Sequence, residues 1–226
     1  EPDPRNCPEP RCLAVREQAI RSLSDPIRGS LELGVFYQQG GQLDQAAAEW
    51  RSVLDATASQ GDRDMPGRLR IRSVSLRHVA AGYLFDLARD REDWKLAEEV
   101  VTLAKRDNLD DCGGSLFCAR LAVARKQYPA ALSCLDECLK QRPIFSYGYM
   151  LRSNVRSALG REQEAVDDIH EASRLNPTDP LVAKAKANAL QVRNAKLGVN
   201  VSSEQQAEAR QAVERAIQLN PRDATL

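Results

Sequence analysis

Ala97, Ala131 and Ala165 stand 34 residues apart, and seven residues further on Ala104, Cys138 and Ala172 keep the same spacing. Trp94 and Tyr128 precede the first two of these alanines by three residues. An earlier copy reads Leu33-Gly34, Tyr37, Gly41, Ala46, Trp50 and Val53, with Ala46 lying 51 residues before Ala97, one period plus 17. A last copy holds Ala209, Ala216 and Asn220-Pro221. Self-similarity at this period marks stacked supersecondary units, since one such unit cannot bury its apolar face alone.

The pattern within a copy makes each unit a helix pair. A first helix carries large apolar residues, and a second carries Ala twice, seven residues apart and therefore on one face. Small residues there let two antiparallel helices approach closely. Pro143 and Pro177 follow the second helix, where a fixed φ and a missing N–H end it. The expected pairs are 27–40 with 44–59, 68–90 with 93–107, 112–125 with 128–141, 146–159 with 162–175, and 181–197 with 203–219. Thirty Ala against 12 Gly and 11 aromatic residues agree with an all-α chain rather than a sandwich or barrel.

These residues resemble the tetratricopeptide repeat family. Its unit carries Leu-Gly and Tyr on the first helix, then Ala, a large apolar residue and Ala on the second, and Pro after it. Leu33, Gly34, Tyr37, Ala46 and Trp50 carry the resemblance best. Tyr149, Leu159-Gly160, Ala165, Ile169, Ala172 and Leu175-Asn176-Pro177 add to it, and the likeness covers about 195 residues. Phe85, Ala119 and Ser153 depart from it, standing where a small Gly is usual, and Phe85 is expected to force its helix pair apart or change its register. The resemblance implies a right-handed α-solenoid of about five helix pairs. Residues 1–26 then form a Pro-rich arm with a short helix over Leu13–Leu23 that caps the first repeat. Residues 27–226 form the array, with repeats at about 27–60, 68–111, 112–145, 146–179 and 180–221.

Several function classes lose support from composition and motifs. Lys and Arg total 32, as do Asp and Glu, so the formal charge is zero and no electrostatic footprint for nucleic acid exists. No apolar run reaches the ~18 residues of a spanning helix. Gly-rich phosphate loops and His-Glu-x-x-His stretches are absent, and His78 and His170 sit among charged helix neighbours. No catalytic residue, cofactor or metal site is therefore assigned.

Six cysteines leave alternatives open. Cys7 and Cys12 flank Pro8-Glu9-Pro10, a spacing that can close a small disulfide loop. Cys112, Cys118, Cys134 and Cys138 fall in one repeat, where Cys118 and Cys134 occupy antiparallel positions that should lie near each other. These four can be small buried apolar residues, disulfides, or a zinc set of unusual spacing. Cys7 and Cys12 favour an extracytoplasmic, periplasmic setting over the cytoplasm, and 25 Arg against 7 Lys suit a GC-rich bacterial genome.

By the same resemblance, a concave groove is lined by one face of each first helix. Its residues include Tyr83 and Asp86, then Phe117 and Arg120, then Tyr147, Met150, Leu151 and Asn154, then Lys184 and Asn188. Apolar anchors among amide and cationic donors suit an extended peptide or a partner helix. Relatives that clamp acidic chaperone tails carry Lys and Asn where Leu31 and Val35 stand here, so that role is not expected. The expected function is a non-enzymatic protein-interaction scaffold. The alternative is a regulatory or targeting arm of a longer enzyme or envelope assembly machine. With Asn220-Pro221 leading to no further capping helix, self-association through the last repeat is a further expectation. Arg68, Arg70, Arg72 and Arg77 form a basic extension, read as a solvated helix face or a dock for an acidic partner.

Overall fold

Local side chains decide where the helices start. The Asp25 carboxylate accepts a hydrogen bond from the Arg28 amide at 3.1 Å, and Asp93 and Asp179 cap in the same way at Leu96 and Leu181. Pro26, Pro129 and Pro180 occupy first turns, where no amide donor is needed. Ser202 and Gln205 close a reciprocal capping box at 3.2 and 3.0 Å.

The computed structural model describes residues 10–59, 67–109, 112 and 114–221, and among these it holds eleven α-helices and no strand. The chain divides into two units, Glu1–Leu109 and Asp110–Leu226. The first contains α1 (Pro10–Arg21), α2 (Pro26–Gln39), α3 (Leu43–Ser59), α4 (Gly67–Asp90) and α5 (Trp94–Asp107). The second contains α6 (Ser115–Ala124), α7 (Tyr128–Gln141), α8 (Ser146–Ala158), α9 (Glu162–Leu175), α10 (Pro180–Leu197) and α11 (Ser203–Leu219). Helix α6 starts three residues later than the expected 112, because Gly114 takes a left-handed φ of 78° and breaks the run.

The period is visible atom by atom in the turns. Backbone amides of Gln42, Asp93, Gln127 and Arg161 reach back to the carbonyls of Tyr37, Ala88, Ala122 and Arg156 at 2.8 to 2.9 Å. One residue earlier, Gly41, Glu92, Lys126 and Gly160 each hold a positive φ, between 55° and 75°. This is one helix-ending motif used four times, satisfying carbonyls that the first helix leaves open. Two copies supply Gly, and two supply residues for which that conformation costs about 1 kcal/mol. Glu92→Gly and Lys126→Gly should each therefore stabilise by about 0.5–1 kcal/mol, read as raised urea midpoints.

Packing inside a pair is set by size. A Cβ on Gly34 would fall 2.1 Å from Trp50 Nε1, so the bare backbone of α2 is what admits the indole of α3. One copy on, the sizes are exchanged, with Phe85 on α4 fully buried and Val101 at the Trp50 position of α5. Phe85 does not shift the register, since its pair closes with the same turn as the others. In the fourth copy Ser153 fills the small position and its hydroxyl donates to the Ala165 carbonyl at 2.7 Å.

Polar anchors complete each unit. Tyr37 donates its hydroxyl to Glu17 at 2.7 Å and accepts from Arg21 at 2.9 Å, which seats α1 on α2. The bonds from Tyr37 and Arg21 hold the Glu17 carboxyl below its usual range. Arg77 of the basic extension is not a solvated residue: it is buried and paired with Asp107 of α5. The side chains of Arg68, Arg70 and Arg72 lie outside the described residues.

In the second unit Asp168, 3% exposed, takes a two-pronged bond from Arg152 at 2.7 and 2.9 Å and a third contact from Arg156 at 2.8 Å. Arg152 also reaches Asp136 of α7 at 2.7 Å. One guanidinium thus ties α7, α8 and α9 together. Asp168→Asn should destabilise by roughly 2–3 kcal/mol, because it takes the buried counter-charge from two arginines that are themselves only partly exposed and leaves each with a weaker, more exposed acidic partner. Urea unfolding of the variant checks this.

Candidate functional site

Three first helices of the second unit carry one position repeated at the 34-residue period: Arg120 on α6, Asn154 on α8 and Asn188 on α10. Both asparagines are exposed and Arg120 is half-buried, its guanidinium 5.7 Å from the centre of the Phe117 ring. Tyr147 and Leu181, at the first turns of α8 and α10, form a second row with the same spacing and are 37% and 64% exposed. Val192, towards the other end of α10, is also exposed. Amide donors and acceptors therefore stand beside open apolar groups, while Lys184 is half-buried on α10.

The expected site residues separate on burial. Phe117 and Met150 are 1% and 7% exposed. Met150 packs with Ile169, Ala172 and Val182. Both are core residues, and the role of open anchor expected for them is corrected. The cause is that a first helix packs on its own partner and on the next pair, so its apolar positions are consumed between repeats. Leu151 is half-buried against the α6–α7 clusters. Tyr83 and Asp86 lie on α4 in the first unit; Tyr83 is 36% exposed and stacks on Trp50 with ring centres 5.1 Å apart.

Two disulfides join α6 and its preceding turn to α7, Cys112 to Cys138 and Cys118 to Cys134, with Cα separations of 4.7 and 6.0 Å. The second pair is the one the antiparallel positions pointed to. The first pair was not singled out, although its residue numbers are centred on nearly the same point of the hairpin, the signal that would have found it. Cys7 and Cys12 lie outside the described residues and side chains. Among the described residues no His, Cys, Asp and Glu cluster could hold a metal ion, and no helix is long and apolar enough to cross a membrane.

The histidines are tied locally. His78 Nδ1 lies 2.9 Å from the Leu109 carbonyl, and His170 Nε2 lies 2.8 Å from Glu208, which Arg193 also engages at 3.1 Å. A cavity of about 480 Å³ opens between α9, α10 and α11. Lys186, Arg215, Glu208 and Glu214 on its wall balance in sign and give no preference for an ionic ligand.

No protein family matches the chain by its sequence, and no curated protein matches it. Solved structures do. A thermophilic tetratricopeptide repeat protein of Thermus thermophilus is similar with a TM-score of 0.60 at 19% identity, over 88% of this chain and 94% of that one. A tetratricopeptide repeat protein of Parabacteroides merdae is similar with a TM-score of 0.61 at 12% identity, over 93% and 72%. MamA gives 0.50 at 13% identity, over 85% and 97%. At these identities the likeness speaks for the fold, and together with the four identical turn closures it establishes that this chain is all-α with the helix-pair architecture of tetratricopeptide repeat solenoids.

Proposed function

We propose that the chain is a non-enzymatic scaffold whose second unit captures an extended segment of another protein along α6, α8 and α10. The observation that carries this reading is the ladder Arg120, Asn154 and Asn188, with Tyr147 and Leu181 open beside it. A peptide backbone presents alternating donors and acceptors, and a side-chain amide offers both, so an Asn in successive repeats can hold a strand without demanding its sequence. The exposed tyrosine and leucine would supply the apolar burial that such contacts lack. Lys184 would add a cation at the same face.

Peptides selected from a random displayed library against the purified chain test this. Asn154→Ala and Asn188→Ala should each weaken the selected peptides about five- to tenfold, corresponding to roughly 1 kcal/mol per lost hydrogen bond. Tyr147→Ala should cost up to about thirtyfold. Unchanged binding in all three folded variants would refute the ladder as the site. The paired cysteines support an oxidising, extracytoplasmic setting for this activity.

A further inference from the structure

The two bridges of the α6–α7 hairpin sit in unequal surroundings. Cys112 and Cys138 are 1% and 0% exposed and lie among Leu116, Phe145 and Leu151. Cys118 and Cys134 are half-buried, with Cys134 at the margin of the neighbouring apolar cluster. A bridge exchanges only when an attacking thiolate can reach one of its sulfurs, so accessibility separates the two. Both bridges also span the same helix pair. Opening one leaves α6 and α7 tethered by the other.

We infer that Cys118–Cys134 is a thiol–disulfide exchange site and that Cys112–Cys138 is a fixed tether holding the hairpin closed in both redox states. The co-substrate is an external thiol, either a small monothiol or a dithiol protein. Its thiolate attacks one sulfur of the bridge, forms a mixed disulfide and releases the other cysteine as a thiolate, which takes a proton. A second thiolate then attacks the external sulfur of the mixed disulfide. The products are two cysteine thiols and one external disulfide, and two electrons pass from the external thiols to the bridge. Oxidation runs the same steps backwards from an external disulfide. The exchange site lies on α6 two residues from Arg120, so the redox change takes place beside one end of the ladder. The inference stands on the unequal burial of the four cysteine residues and does not depend on the peptide reading.

The oxidised full chain, held under native conditions with reduced glutathione or with a thioredoxin-type dithiol protein, tests it. Samples are quenched with an alkylating reagent at intervals and the cysteines mapped by mass spectrometry. Cys118 and Cys134 should be labelled at least about tenfold faster than Cys112 and Cys138, and oxidised glutathione should restore the pair. A glutathione adduct on Cys118 or Cys134 would identify the small thiol as a competent source. Faster reaction with the dithiol protein and no adduct would identify the protein. Labelling of all four cysteines at one rate, or of Cys112 and Cys138 first, would overturn the assignment. Hydrogen exchange in α6 and α7 tests the tether separately. On reduction of Cys118–Cys134 it should rise about 30- to 150-fold in the native chain, and at least about tenfold further on the same reduction in the Cys112→Ser, Cys138→Ser double variant, which then holds neither bridge. An equal rise in both would overturn the tether.

Discussion

Removing both bridges of the α6–α7 hairpin is expected to lower the stability of the second unit by roughly 4–6 kcal/mol, against about 2–3 kcal/mol for either bridge alone. The sequence separations are 26 and 16 residues. Taken singly, loops of these lengths restrict the unfolded chain by about 3 kcal/mol each. The loops are nested, however, so the second bridge to form closes only a short additional ring and adds somewhat less. The sum therefore falls below two independent bridges. Urea unfolding of the four-serine variant beside the two double variants checks both size and order. A four-serine variant within about 1 kcal/mol of the native chain would mean that core packing alone sets the hairpin.

The second large effect belongs to Trp50. Trp50→Ala should cost the first unit roughly 3–5 kcal/mol, the range for emptying a fully buried large aromatic site. The indole has no exposed surface, lies against the bare backbone of Gly34 and stacks on Tyr83. Gly34→Ala should destabilise as well, by overpacking the same contact. Combined with a smaller residue at 50 it should cost less than the sum, since the two positions share one volume. The chain has two tryptophans, Trp50 and Trp94, and both lie in the first unit. Trp94 fluorescence therefore reports the unfolding of that unit in the variant.

Much of the fold was legible in the sequence, and for a physical reason. A helix pair must put small residues where its backbones touch and helix breakers where they part, so Ala97, Ala131 and Ala165 and the following prolines fix both the pairing and its period. The expected helix limits fall within one or two residues of those observed, apart from the starts of α1 and α6, each three residues away. Phe85 was the place where inference from one position failed. Its bulk is accommodated because its counterpart on α5 is Val101 rather than a tryptophan, a compensation visible only when both helices are read together.

The candidate site was less legible. Arg120, Asn154 and Asn188 recur at the period and so were found, but Phe117 and Met150 occupy equivalent turns of the same helices and are buried. Sequence spacing gives the face of a helix and not the depth of each position. Whether an apolar residue on that face meets a ligand or the next repeat depends on how closely the pairs stack. Arg77 makes the same point for charge. Its neighbours in the sequence are basic, yet it is buried against Asp107, an ion pair made across thirty residues of chain.

Capture of an extended segment on the first-helix face of the second unit, as proposed, is open to amide NMR of the labelled chain with a selected peptide. Shift changes on peptide addition should concentrate on α6, α8 and α10 around Arg120, Tyr147, Asn154 and Asn188, and Asn154→Ala with Asn188→Ala should abolish them at the same peptide concentration. Shifts confined to α9 and α11, unaffected by those substitutions, would contradict it.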